Sequence, residues 1–316
     1  MYDLITFGRC GVDVYPLQTG VGLADVETFG KFLGGSPTNV AVAAARHGLR
    51  SAVITAVGAD PFGEYVRRAI RGFGVDDVFV HTIEGPATPV TFCEIFPPDH
   101  FPIYFYRGEH PPDLRIDPSM LDLDAIARTD LFWFSLTGLS KEPSAAAHHA
   151  ALAARTAASP GGWTVFDLDY RANLWESREA AHEAARLALP HATVAVGNLD
   201  EVEVAVGVRD PEAAAQALLD AGVRVAIVKM GPEGVFARTA EESARVEPME
   251  VKVVNGIGAG DAFGGALCLG LLRGWPLERT LRFANAAGAF VATRLACADA
   301  MPTTVEVEDL LNEVPS

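Results

Sequence analysis

A chain of 316 residues, 49% of them hydrophobic, is long enough to bury one large core or two small ones. Its formal net charge of −16 argues against a nucleic-acid or anionic-membrane surface, since both need basic patches. Lysine is confined to Lys31, Lys141, Lys229 and Lys252, so any anionic ligand must be met by few, deliberately placed cations. Cys10, Cys93, Cys268 and Cys297 lie far apart and form no CxxC pair. That pattern points away from a disulfide framework or zinc site and toward a reducing cytoplasm. No apolar run approaches the roughly 20 residues of a membrane span, and no basic, signal-like segment precedes the first strand candidate.

That strand candidate, Leu4–Phe7, runs into Gly8-Arg9-Cys10-Gly11-Val12-Asp13. Tyr15 to Leu33 lacks helical period and reads as strand. Gly34-Gly35-Ser36-Pro37-Thr38-Asn39 is a glycine turn opening a helix over Pro37–Arg46, with Ser36 as N-cap and Pro37 at the first helical position. A strand at Ser51–Val57 leads through Asp60-Pro61-Phe62-Gly63, a helix cap, into a helix over Phe62–Phe73. Thr88 to Arg107 again reads as strand. Thr91–Phe96, a Pro-Pro-Asp-His turn and Ile103-Tyr104-Phe105-Tyr106-Arg107 form a hairpin signature.

Beyond it, strands at Leu131–Ser135, Thr164–Leu168, Thr193–Val196 and Arg224–Lys229 alternate with helices at Ser144–Ala158, Glu176–Ala188, Asp200–Val206 and Pro211–Ala221. Longer helices follow near Asp261–Leu272 and Leu277–Arg294. The alternation predicts an α/β fold: a mostly parallel sheet with helices on both faces. The two interruptions, roughly 14–34 and 86–110, predict a small β-sheet lid on a single domain spanning 1–316.

The run Asn255-Gly256-Ile257-Gly258-Ala259-Gly260-Asp261 puts a flexible turn at a helix start, where free amide groups collect and anions bind. Gly258 and Gly260 let backbone approach a phosphate. Asp261 falls in the first turn, where the helix dipole favours its ionised form. A carboxylate beside a phosphate cradle suits a base that accepts a proton from an attacking hydroxyl. Further motifs fall at strand ends, where open α/β sheets bind ligands. These are Asp167-Leu168-Asp169-Tyr170-Arg171, Asn198-Leu199-Asp200-Glu201 and Lys229-Met230-Gly231-Pro232-Glu233-Gly234.

In this order, and over essentially the whole length, the chain resembles the PfkB/ribokinase family of sugar kinases. The resemblance implies a ribokinase-like fold, with Asp261 as the base and the Gly258, Ala259 and Gly260 amides as an anion hole. It implies ATP held by Asn198, Lys229, Gly231, Gly234 and Asn285, with Mg²⁺ organised by Asn198 and, indirectly, Glu201. It places Asp13, Gly34, Gly35 and Asn39 on sugar hydroxyls. The family commonly carries Asp-Thr where Asn255-Gly256 stands, and that Asp often positions a monovalent cation. Asn255 lacks its charge, which weakens the case for K⁺ as a cofactor.

Arg107 suits an acidic sugar, because arginine binds a carboxylate bidentately, and Arg171 suits either that acid or the ATP phosphates. With Tyr106 beside Arg107, the Asp-Tyr-Arg block and Ala300-Met301-Pro302-Thr303, the chain looks like the branch acting in myo-inositol catabolism. That resemblance implies phosphorylation of 5-dehydro-2-deoxy-D-gluconate at its 6-hydroxyl. Alternatives are 2-dehydro-3-deoxygluconate, fructose or ribose as substrate, or a non-catalytic sugar sensor that kept the fold. A nucleotide oxidoreductase is poorly supported, since no GxGxxG follows the first strand. A homodimer through the lid is a further expectation from the family.

Overall fold

Successive side chains of the central strands are apolar and buried on both sides, which requires a sheet covered on both faces. Along Leu131–Ser135, Leu131 and Trp133 enter one core while Phe132 and Phe134 enter the other. Each large side chain so buried contributes roughly 1.5–3 kcal/mol.

The computed structural model describes residues 1–313; the last three residues of the expected 1–316 unit lie outside that range. The chain runs β1 (Leu4–Phe7), β2 (Gly11–Pro16), β3 (Phe29–Gly34), α1 (Ser36–Arg46), β4 (Ser51–Gly58), α2 (Pro61–Gly72), β5 (Val80–Ile83), β6 (Val90–Cys93), β7 (Ile103–Tyr106), α3 (Leu123–Arg128), β8 (Leu131–Ser135) and α4 (Ser144–Ala158). It continues β9 (Trp163–Asp167), α5 (Arg178–Ala188), β10 (Val194–Asn198), α6 (Leu199–Val206), α7 (Pro211–Asp220), β11 (Val225–Lys229), β12 (Val235–Arg238), β13 (Ser243–Val246), α8 (Ala259–Leu272), α9 (Leu277–Ala292) and α10 (Thr304–Glu313).

A nine-stranded sheet has the order β13-β12-β11-β10-β9-β8-β1-β4-β5. Its pairings are parallel except at one edge, where β11-β12 and β12-β13 are antiparallel. Helices α1, α2, α8, α9 and α10 pack on one face and α3 to α7 on the other. The antiparallel edge pair, β5, α3 and α10 are not anticipated by the sequence reading. The strands and α3 are short, and β13 is mostly exposed, with Val246 its one buried residue.

A second sheet, β3-β2-β6-β7, lies over the carboxyl ends of the large sheet's strands. Its strand β2 begins at Gly11, so Asp13 sits on a strand of this smaller sheet. Alternation along β7 turns Ile103 and Phe105 toward the body and Tyr104 and Tyr106 outward.

Two contacts position the ends of α1 and α8. A Cβ at Gly265 would collide with Ala43 of α1, and one at Gly264 would lie 2.7 Å from the Trp133 ring. Small residues therefore let the two helices approach closely and set their N-termini side by side. The α1 cap is Gly35 at φ +102°, not Ser36 as expected. Glycine tolerates that angle, and the Ser36 hydroxyl is thereby released for a long-range contact.

Candidate active site

The cleft between the small sheet and the ends of β9, β10 and β11 has a volume of about 470 Å³. A larger hollow of about 660 Å³ opens at the opposite end of the sheet, where its walls include Trp163 and Arg224. There Arg224 already stacks on Trp163 at 4.8 Å and donates to the Gly161 carbonyl at 2.9 Å. The chemistry-bearing residues collect instead in the cleft.

Its centre is the start of α8. Gly258 caps the helix at φ +88°, and a Cβ there would strike the Cys297 thiol. Position and space both require glycine. The Gly258 and Gly260 amides find no acceptor among the described residues, whereas that of Ala259 donates weakly to the Gly256 carbonyl at 3.4 Å. Lys229 Nζ stands 3.3 Å from where a Cβ on Gly260 would be. Two free N–H groups, a helix N-terminus and an ammonium thus share one concave spot, which suits a phosphate.

Asp261 stands in the same first turn. Its Oδ1 accepts from Ser36 Oγ at 2.7 Å and its Oδ2 from Asn39 Nδ2 at 2.8 Å. Burial raises its pKa, against the expectation from the helix dipole; the Asn39 and Ser36 hydrogen bonds oppose that rise without cancelling it. Asn39, expected on a sugar hydroxyl, lines the cleft with its Nδ2 on Asp261 and its Oδ1 without a partner.

A chain of charges crosses the cleft. Arg9 pairs with Asp169 at 2.9 Å, Asp169 with Arg171 at 2.9 Å, and Arg171 with Glu201 at 3.3 Å. Burial opposes ionisation of Asp169, but Arg171 and Arg9 together hold it below the usual carboxylate range. Burial, with the Asp169 charge next, pushes neighbouring Asp167 well up. Asn198 accepts from the Asp200 and Glu201 amides at 2.9 and 3.0 Å, and Glu201 Oε2 accepts the Asn198 N–H at 2.7 Å. This capping box fixes both side chains at the cleft edge. Among the described residues no group of three or more His, Cys, Asp or Glu is placed to hold a metal.

The other expected site residues divide. Asp13 lines the cleft and accepts from the Tyr15 hydroxyl at 2.8 Å; burial pushes it up to about 7. Gly34 leaves room for that carboxylate, since a Cβ there would overlap it. Gly35 and Gly231 also line the cleft.

Three expected site residues do not line this cleft. Tyr106 is 67% exposed on the outer face of the small sheet, because strand alternation gives the inner position to Phe105. Gly234, at φ +83°, serves the β12–β13 pairing, where a Cβ would strike the Val246 carbonyl. Asn285 donates to the Glu247 carbonyl at 3.0 Å and does not line the cleft. Arg107 lies beside the cleft rather than in it. It shares a small recess with Arg9 and Phe105 and pairs with Asp113 at 2.7 Å.

Sequence reasoning assigned no site role to Arg9, Phe105, Asp167 or Asp169, and to Ser36 only that of a helix cap. Each stands inside or beside a motif already singled out, but which side chain faces the cleft is a tertiary matter. Arg9 carries the clearest signal in retrospect: a cation directly after a buried strand.

A model of "pfkB family carbohydrate kinase" matches residues 1–304. The chain belongs to that family. A protein of Geobacillus kaustophilus named 5-dehydro-2-deoxygluconokinase is 31% identical, the match covering 98% of this chain and 94% of that one. A namesake in Listeria monocytogenes serotype 4b is 32% identical over 98% of this chain and 96% of its own. Among solved structures, the 2-dehydro-3-deoxygluconokinase of Thermotoga maritima superposes with a TM-score of 0.88 at 23% identity, covering 99% of this chain and all of that one. A fructokinase with bound ATP from Xylella fastidiosa gives 0.86 at 24% identity, with 99% of both chains covered. At such identities the structural likeness establishes the fold, a ribokinase-like one.

Proposed function

We propose that this carbohydrate kinase transfers the γ-phosphoryl group of ATP to the terminal hydroxyl of a sugar acid, 5-dehydro-2-deoxy-D-gluconate, at its 6-position. One observation carries the reading. A buried carboxylate, Asp261, held by Ser36 and Asn39, adjoins two unpartnered backbone amides and Lys229 in a single cleft. The lid end of that cleft carries Arg9, with Arg107 in the adjoining recess, which suits an acid rather than a neutral sugar. The names of the relatives at 31–32% identity supply the particular acid.

In this mechanism the acid end of the substrate meets Arg107 and Arg9, while Asp13 and the Gly34–Gly35 turn face its hydroxyls. Arg171 is shared between two carboxylates, Asp169 and Glu201, and orders the cleft floor, whereas Arg9 and Arg107 each pair with one, Asp169 and Asp113, and keep further N–H groups for the substrate. Asp261 takes the proton of the terminal hydroxyl as that oxygen attacks phosphorus. The Gly258 and Gly260 amides and Lys229 receive the charge of the phosphoryl oxygens. Asn198 and Gly231 border the nucleotide side.

Asn198 and Glu201 fit Mg²⁺ as hard oxygen donors acting through water, since Mg²⁺ keeps much of its hydration and relies on phosphate oxygens. Bound there, Mg²⁺ would offset phosphate charge. Potassium has no role in this reading. Asn255 Nδ2 donates to the Leu295 carbonyl at 2.8 Å and its Oδ1 accepts from Ile257 N–H at 3.0 Å, so the amide ties this turn together by itself.

The outer face of the lid carries Phe29, Phe92, Tyr104 and Tyr106, with Phe92 edge-on to both Phe29 and Tyr106. We assign this aromatic face to a second copy of the chain. Four free, buried cysteines are in keeping with a cytoplasmic enzyme. No helix among the described residues is long and apolar enough to cross a membrane.

The test is ADP release with Mg·ATP and a panel of 5-dehydro-2-deoxygluconate, 2-dehydro-3-deoxygluconate, fructose and ribose. Preference for the first supports the reading. Preference for the second keeps the mechanism and changes the substrate. A neutral sugar winning refutes the role of the arginines, and no turnover favours a sensor.

A further inference from the structure

Ser36 Oγ stands between two carboxyl groups. It is 2.7 Å from Asp261 Oδ1 and 3.3 Å from Asp167 Oδ2. A serine hydroxyl has one proton and two lone pairs. The shorter contact, to the group read above as the base, takes the proton. Toward Asp167 the oxygen can then act only as an acceptor, so that contact is a hydrogen bond only when Asp167 carries a proton.

We propose that Asp167 and Ser36 form a positioning chain behind the base, in which protonated Asp167 donates to Ser36 and Ser36 donates to ionised Asp261. Neither residue touches the reacting atoms; both act through the Asp261 carboxylate. The inference rests on the reading of Asp261 as base and adds to it how that base is kept ionised and aimed. The surroundings agree. Asp167 is buried beside the ionised Asp169, and both effects favour its neutral form. A neutral donor at this position also avoids setting a second bare charge against Asp261. The other Asp261 oxygen is fixed by Asn39, so rotation of the carboxylate is blocked from both sides.

Other ionisable groups act on Asp261. Asp13 of β2, Asp167 and Asp169 at the end of β9, and the Cys297 thiol behind Gly258 all bear on it from the acidic side. Arg9 after β1, Arg171 after β9 and Lys229 at the end of β11 bear on the site as cations. Ser36 differs from all of these in donating directly to one Asp261 oxygen, so its removal perturbs Asp261 without changing any formal charge.

The experiment follows kcat against pH for Ser36→Ala, Ser36→Thr, Asp167→Ala and Asp167→Asn, with thermal melts as a folding check. A hydrogen bond to a charged group is worth roughly 1.5–3 kcal/mol, or about 10–100-fold. Ser36→Ala should therefore lower kcat about 10–100-fold, with KM for sugar and ATP changing less than about threefold. The acidic limb should move to higher pH, because the lost bond favoured the ionised base. Ser36→Thr should restore most of the rate and the limb. Asp167→Ala should move the limb the same way, and Asp167→Asn, whose amide still donates, should move it less.

Three results overturn the proposal. One is an unmoved acidic limb in Ser36→Ala. Another is a rise in sugar KM alone, which would put Ser36 on the substrate. The third is a limb shifted to lower pH in Asp167→Asn, which would mean that Asp167 is ionised in the native enzyme. If Ser36→Ala does not fold, the two Asp167 variants decide. Ser36→Ala added to Asp261→Asn separates this inference from the reading beneath it. If Asp261 is the base, the second change should cost little more. Full activity of Asp261→Asn alone would instead remove the base assignment itself.

Discussion

Replacing Asp261 by asparagine removes the proposed base and changes almost nothing in shape. The new side chain keeps an oxygen for the Ser36 hydroxyl, which lies 2.7 Å from Oδ1. Its amide would face Asn39 Nδ2, now 2.8 Å from Oδ2, and two donors would meet. Asn39 can resolve this by turning its amide over, since its own Oδ1 is buried with no hydrogen-bond partner. The variant also removes a carboxyl group whose ionisation burial already opposes. Stability at neutral pH should therefore be equal to or above that of the parent. General-base catalysis is worth about 10²–10⁴ in rate, or roughly 3–5 kcal/mol of barrier. Turnover should fall by that factor while ATP affinity holds within about twofold. The assay is ADP release at saturating sugar acid and Mg·ATP, with a thermal melt and equilibrium ATP binding on the same preparation. Turnover within about threefold of the parent, with the fold intact, would refute the assignment.

Four further outcomes are expected. Gly258→Ala should destabilise the protein by about 2–5 kcal/mol, combining the cost of a left-handed Cβ residue with overlap against Cys297; an unchanged denaturant midpoint would contradict the geometry. Arg107→Met should raise KM for the sugar acid about 10–100-fold, the worth of a charged hydrogen bond, and leave KM for ATP nearly unchanged; equal effects on both would move Arg107 out of the substrate site. Asp13, raised by burial from 3.8 to about 7, keeps its proton in the native state while the unfolded chain has lost it. Its contribution to stability is therefore fully present below pH 3.8 and falls as pH rises toward 7. Unfolding by urea at pH 5 and pH 8 should show a smaller difference for Asp13→Asn than for the parent, and an equal difference would exclude Asp13 as the source. Exchange of Na⁺ for K⁺ should leave kcat unchanged; a clear rise would show that the Asn255 amide does not replace a cation.

Periodicity alone fixed much of the body of this fold. The run Leu131–Phe134 is apolar at every position, and only a sheet buried on both faces explains it. The Gly258–Asp261 turn was equally legible, because free amides at a helix start and a first-turn carboxylate are local properties of the chain. What the sequence could not decide is which side chain of a motif turns inward. Phe105 and Tyr106 are neighbours of similar character, and only the register of β7 in the small sheet sends one to the cleft and the other to solvent. Ser36 looked like a cap because its local pattern is that of a cap. The Gly35 angle, and the close approach of α1 to α8 through Gly265, carry its hydroxyl to Asp261, 225 residues away. Asp167 and Asp169 differ by two positions, yet one is driven toward neutrality and the other held ionised. Arg9, brought from 160 residues away, joins the nearby Arg171 in making that difference, and an arrangement of charges in space is what only the tertiary structure decides.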